Sequence, residues 1–176
     1  MRPGLRWCSQ LAAPSRWCKQ SEPALHLYGH HPAPAGWGIG RVGTLPEPLT
    51  LHQLAQHLAG QLPSTAQGVR VSGPADAQVT RVALCSGSGD SLFGAARASG
   101  AEVYITADLR HHPASEAREP RRDGLPYLVD LSHWASEWPL LTRAAQLLRP
   151  LLGADAVTVS SRCSDPWTFQ IPSPGR

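Results

Sequence analysis

The chain has no CxxC pair, although it carries four cysteines, Cys8, Cys18, Cys85 and Cys163. Neither a zinc ribbon nor a thioredoxin-type redox motif is therefore indicated. No stretch approaches the ~20 consecutive apolar residues of a membrane helix. Arg2 and Arg6 stand near the start, but no apolar run long enough for a secretory leader follows them. The expectation is a cytoplasmic protein with reduced thiols and no membrane partner. Charged residues make up only 16% of the chain, against the roughly 25% usual in soluble domains. The net charge is +3 and the basic residues are dispersed, with Arg118, Arg121 and Arg122 as the one tight group. A nucleic-acid surface needs a basic stripe, and none is present.

What the chain does have is proline and glycine, 17 and 16 of them, many in the first 50 residues. Residues 1–35 read as irregular, either unstructured or a misread start, and residues 36–176 as one α/β unit. Gly36-Trp-Gly-Ile-Gly40 forms a glycine-rich entry, and Pro46 and Pro48 a rigid connector. From Thr50 the order is regular. Thr50 is a good N-cap before Leu51, Leu54, Ala55 and Leu58 at helical spacing. Strands are expected over 69–72, 79–85, 102–106, 127–130 and 156–161. Helices are expected over 91–99, around 114–118 and from about 134 to 148. Strands alternating with helices imply layered α/β architecture with right-handed crossovers. Ligands bind such sheets at the carboxyl ends of strands. Here those ends hold Ser86-Gly-Ser-Gly-Asp90, Thr106-Ala-Asp-Leu-Arg-His-His112 and Asp130-Leu-Ser-His133.

Each cluster admits a chemical and a structural reading. His133 and Glu137 are four residues apart, one turn along a helix face, and both suit a divalent metal. Zinc, iron and manganese all accept such donors. Exposed His and Glu one turn apart are also common without a ligand. Gly87, Ser88 and Gly89 lie between a strand and a helix, where backbone amides can cradle an anion. The alternative is a tight turn that needs glycine for backbone reasons. Asp108 follows Gly89 at the spacing of a dinucleotide fingerprint, but Leu92 stands where the third glycine belongs. Asp108, Arg110, His111 and His112 could bind metal, bind an anion, move protons, or form a solvated loop. His30-His31 sits in irregular sequence and reads as accidental. Asp165-Pro166 should turn the chain, with Trp167 packing back on the core.

Trp37-Gly-Ile-Gly-Arg-Val-Gly43, Val82-Ala-Leu-Cys-Ser-Gly-Ser-Gly-Asp-Ser91, Ala101-Glu-Val-Tyr-Ile-Thr-Ala-Asp-Leu-Arg-His-His112, Leu128-Val-Asp-Leu-Ser-His-Trp-Ala-Ser-Glu137 and Ser164-Asp-Pro-Trp-Thr168 occur in an ordered series. Together they resemble the dinuclear-metal-centre proteins labelled GTP cyclohydrolase 1 type 2 homologues, the NGG-one-interacting-factor-three-like family, in its actinobacterial form. The resemblance spans about residues 36–173. It implies one half of a two-lobed α/β fold, a toroidal homohexamer and two divalent metals per subunit. It also implies His133 and Glu137 as metal ligands, with the 108–112 loop lining the pocket. A His-His pair and an Asp complete the centre from the family's first half, which this chain lacks. The chain therefore reads as a C-terminal half.

Three functions remain open on this reading. One is a metal-dependent hydrolase of a nucleotide or phosphorylated substrate, incomplete in this chain. Another is a non-catalytic metal-binding or scaffold protein forming a ring. The last is a nucleotide-binding module using Gly87, Gly89 and Asp108.

Overall fold

The structure, a computed structural model, describes residues 21–23 (backbone only), 39–119 and 124–172. His30, His31, Cys8 and Cys18 lie outside the described residues, as does most of the irregular 1–35 stretch. The described elements are β1 (Ser21–Pro23), β2 (Arg41–Thr50), α1 (Leu51–Gln61), β3 (Arg70–Ser72), β4 (Gln78–Ser88), α2 (Phe93–Ala98), β5 (Val103–Ala107), α3 (His111–Arg118), β6 (Tyr127–Leu131) and α4 (His133–Leu152). Short 3₁₀ turns cover Asp90–Leu92 and Ala154–Ala156.

The six strands form one sheet in the order β1-β2-β4-β5-β6-β3. Its centre is parallel, with β4 beside β5 and β5 beside β6. Antiparallel pairs flank it, β2 on β4 and β3 on β6. The parallel centre comes from two strand–helix–strand crossovers, through α2 and then α3. The expected α/β layering is therefore present.

Alternation along the strands splits the core between two faces. Val103, Ile105 and Ala107 point to one face with Val129 and Leu131, where Leu51, Leu54 and Leu58 of α1 cover them. Each of those leucines is at most 2% exposed, and such burial contributes about 1.5–3 kcal/mol per side chain. Tyr104 and Leu128 point to the other face, against Leu92, Ala96 of α2 and Ala117 of α3. Small residues on α2 let the backbone approach the sheet there. Helix α1 starts as its sequence dictates. The Gln53 amide donates to Thr50 Oγ1 at 3.1 Å and the Thr50 amide donates to Gln53 Oε1 at 2.9 Å, a reciprocal cap.

Two expectations need correction. The Pro46/Pro48 segment is part of β2 rather than a connector. Its pairing with β4 runs from Thr44 opposite Arg81 to Leu49 opposite Val79, with an irregularity between. The prolines fall inside that bulge, where no ladder hydrogen bond is required of them. The strand expected over 156–161 does not form. Residues 157–161 are mostly exposed and pair with no strand among the described residues. A β-branched Val-Thr-Val run has strand propensity, but without a ladder partner that preference does not make a strand. Trp167, expected to pack inward, is 67% exposed.

Candidate metal centre

The parallel order β4-β5-β6 sets three polar strand ends side by side. Gly87 lies near the end of β4, Asp108 follows β5, and His133 follows β6 as the first residue of α4. Ser132 is the N-cap of α4. Its hydroxyl donates to Asp165 Oδ2, and Asp165 Oδ1 accepts from the Trp167 amide at 2.9 Å. Asp165 thus makes the expected turn and ties the C-terminal segment to the start of α4.

His133 stands between two carboxylates. Its Nδ1 is 2.6 Å from Asp108 Oδ2 and its Nε2 is 3.1 Å from Glu137 Oε1. Helical spacing supplies the second contact. The first depends on Asp108, which has φ +55, in the left-handed region. Asp tolerates that conformation better than most residues, and such outliers gather at functional sites. The Asp108 carboxylate, hydrogen-bonded to Nδ1, raises the imidazole above its ordinary pKa. Partial burial opposes that shift and Glu137 reinforces it.

Gly87 closes the other side. It has φ +69, and a Cβ built there would lie 2.8 Å from Glu137 Oε1 and 3.3 Å from His133 Nε2. Its amide donates to Ser136 Oγ at 2.8 Å, and its carbonyl accepts from Thr106 Oγ1 at 2.9 Å. Ser136, buried on α4, therefore fixes strand end to helix one residue before Glu137. The role of Ser136 and Thr106 has no sequence signal, because a small hydroxyl in an apolar element looks like filler.

The imidazole nitrogen, the carboxylate oxygen and the space left by a missing Cβ fit a divalent ion. A 3.1 Å separation is one that two donors about 2.1 Å from a common ion can span. Nδ1 held by a carboxylate is the arrangement that orients a metal-binding histidine. Among the described residues no three His, Cys, Asp or Glu side chains form a metal-holding group, so His133 and Glu137 offer two donors where a divalent ion needs about four.

The remaining named residues are distributed around this pair. Arg110 pairs with Asp90. His111 and His112 are exposed at the start of α3, their rings 5.3 Å apart. Arg110 and His111 line a cleft of about 410 Å³ together with Arg70, Arg118 and Asp130. In the glycine loop, the Gly87 amide is spent on Ser136. A Cβ at Gly89 would lie 2.1 Å from Thr106 Oγ1 and 2.3 Å from Tyr104 Oη. Close backbone approach thus accounts for both glycines. Tyr104 donates to the Gly89 carbonyl at 3.1 Å, and burial pushes its phenol far above the ordinary range. Cys85 is a buried free thiol whose pKa burial raises, which suits a packing role.

Sheet and site together define an α/β protein whose parallel strand ends gather Asp108, His133 and Glu137. Known proteins place it more closely. The Duf34/NIF3 (NGG1p interacting factor 3) family matches residues 10–166, and the chain belongs to that family. The chain is 46% identical over 149 residues to a Mycobacterium tuberculosis "GTP cyclohydrolase 1 type 2 homolog", covering 84% of this chain and 38% of that protein. It is 47% identical over 140 residues to a Streptomyces coelicolor protein of the same description, covering 77% and 48%. The crystal structure of a Bacillus cereus protein related to NIF3 superposes with TM-score 0.63 at 28% identity, covering 76% of this chain and 36% of that one. The chain thus spans less than half the length of these relatives.

Proposed function

We propose that this chain is a divalent-metal-binding part of a metal-dependent hydrolase acting on a nucleotide or phosphorylated substrate. The observation that carries the reading is His133, held at Nδ1 by Asp108 and set at Nε2 against Glu137, with Gly87 leaving room beside both. His133 and Glu137 would hold the metal. Asp108 would orient the imidazole and keep its proton on Nδ1. A bound divalent ion supplies Lewis acidity and an acidified water. Ser136 and Thr106 hold the Gly87 backbone in place against that pair. Two metals per subunit need donors beyond this pair, supplied from outside the described residues. The hydrolase element of the reading leans on the relatives' description as GTP cyclohydrolase 1 type 2 homologues.

A second reading, a metal-binding scaffold within a ring-shaped homo-oligomer, is favoured by one feature. The outer half of α4 exposes Leu147 (54%), Leu151 (78%) and Leu152 (61%), and apolar surface of that kind marks interaction sites. Among the described residues no helix is long and apolar enough to cross a membrane, and a cytoplasmic location is part of the proposal.

The test is elemental analysis of the purified chain beside its His133→Ala/Glu137→Ala variant, followed by turnover assays on GTP and phosphoesters. Metal in the first and not the second is expected. Equal metal in both would remove the named ligands from either reading. Stoichiometric metal without turnover in a full-length relative would favour the scaffold.

A further inference from the structure

The cleft of about 410 Å³ is lined in part by Leu109, Arg110 and His111, which follow Asp108 in the chain. Its walls come from β3, β6 and α3. Three guanidinium groups line it, and their partners differ. Arg70 donates through Nε, at 2.9 Å, and through Nη2 to Asp130 Oδ2. Arg110 is paired with Asp90. Arg118 has no carboxylate partner among the described residues. Its Nε donates to Ser72 Oγ at 3.2 Å, and its guanidinium lies 5.0 Å from the Tyr127 ring centre. Its Nη1 is buried with no hydrogen-bond partner among the described residues.

A half-buried cation left without a counter-charge is costly, and a buried N–H without an acceptor adds to that cost. Desolvation accordingly lowers the pKa of Arg118; Tyr127 opposes that shift, and no carboxylate among the described residues does. Asp130, the one acidic residue lining the cleft, is already neutralised by Arg70 and also accepts from the Leu109 amide at 3.0 Å. The exposed Ser115 and His111 add further donors at the rim. The electrostatic deficit of this cleft is one anion.

We infer that the cleft between β3 and α3 is an anion subsite, in which Arg118, with Arg70 and Ser115, binds a phosphate group. Arg70 Nη1 and Arg118 Nη2 donate to no group among the described residues and are left for phosphate oxygens, and the cleft has room for more than the phosphate alone. Leu109, which lines the cleft, is the chain neighbour of Asp108, so the two sites share one loop. The inference stands without the metal reading, because none of its residues belongs to the His133–Glu137 pair.

The experiment is calorimetric titration of inorganic phosphate, and separately of guanosine monophosphate, into the full chain in the presence of chelator and at low salt. Saturable one-to-one binding is expected. Arg118→Met should weaken it about tenfold or more. Ser115→Glu, on an exposed helix position that leaves folding intact, should abolish it by placing a carboxylate at the rim. His133→Ala/Glu137→Ala should bind as the wild type does, which separates this subsite from the metal proposal. Tighter binding of the nucleotide than of phosphate would identify a phosphate ester as the ligand, and equal binding the free anion; either supports the subsite. No binding at millimolar phosphate, or binding that neither Arg118→Met nor Ser115→Glu reduces, would overturn it.

Discussion

Gly87→Ala tests the site at the point where backbone and ligands meet. Two costs follow, and they act on different observables. The left-handed φ of +69 at Gly87 costs an alanine about 1–2 kcal/mol. For a chain of this size that lowers the melting temperature by roughly 2–8 °C. The added Cβ would also stand 2.8 Å from Glu137 Oε1, where ordinary contact begins at 3.4 Å. The carboxylate is the free end of a half-exposed side chain, so it moves aside at little cost to folding. It must retreat by about 0.6 Å, whereas metal–ligand distances tolerate only about ±0.2 Å. Metal affinity should therefore fall on the order of tenfold or more. Gly68→Ala provides the control. Gly68 has φ +65 and nothing within 4 Å of its Cβ position, so it carries the same backbone strain without the crowding. Thermal unfolding and metal competition against a chromophoric chelator should show similar destabilisation in both variants and lost affinity in Gly87→Ala alone. Equal metal affinity in the two would refute the placement of the ion between Gly87, His133 and Glu137.

Other substitutions separate orientation from ligation and from packing. Asp108→Asn keeps a residue that accepts φ +55 but removes the charge on Nδ1; metal affinity should drop about 10- to 100-fold, and the His133 titration followed by NMR should move down toward its ordinary value. Asp130→Asn weakens a 6%-exposed carboxylate that holds Arg70 and the Leu109 amide; urea unfolding should show a loss of about 1–3 kcal/mol, reduced by the exposure of Arg70. In metal-free protein His133 has a raised folded-state pKa, so its contribution is complete below about pH 6.5 and disappears as pH rises through the folded value. Half exposure keeps that contribution small; His133→Gln should flatten this part of the stability–pH curve, and an unchanged curve would exclude the coupling. Leu147→Glu/Leu151→Glu should leave the melting temperature nearly unchanged while lowering the sedimentation-derived mass if α4 mediates assembly.

Legibility from the sequence followed the range of the interactions. Helix α1, with its Thr50 cap, and the parallel centre were readable because caps, periods and strand–helix alternation are local. Strand β2 was hidden, since Pro46 and Pro48 signal a break and only the pairing with β4 shows that the break is a bulge. The 156–161 segment failed in the opposite sense: its local propensity is right and its ladder partner is absent among the described residues. At the site, the i, i+4 spacing of His133 and Glu137 could be read directly. The bond from Asp108 to His133 spans 25 residues and depends on one left-handed backbone angle, so the sequence could offer Asp108 only as one polar residue of a loop. Arg118 and Arg70 stand 48 positions apart in the chain, and only the pairing of β3 with β6 brings them to one cleft.

The same topology explains why ligand-competent groups collect at this edge. In a parallel sheet each strand must leave the layer at its carboxyl end before the chain can return, so polar loops converge there. The two crossovers put the ends of β4, β5 and β6 next to one another, and each contributes one element of the site. The β4 end gives the glycine that makes room. The turn after β5 gives the carboxylate that orients the imidazole. The helix after β6 gives the donors on successive turns. Backbone hydrogen bonds hold these pieces together: Gly87 to Ser136 and Thr106, and Leu109 to Asp130. Those bonds leave out the His133 and Glu137 side chains, whose tie to this scaffold is the half-exposed bond from His133 Nδ1 to Asp108. It follows that removing both donors should abolish metal binding while leaving the fold intact, the combination expected of ligands and not of structural residues.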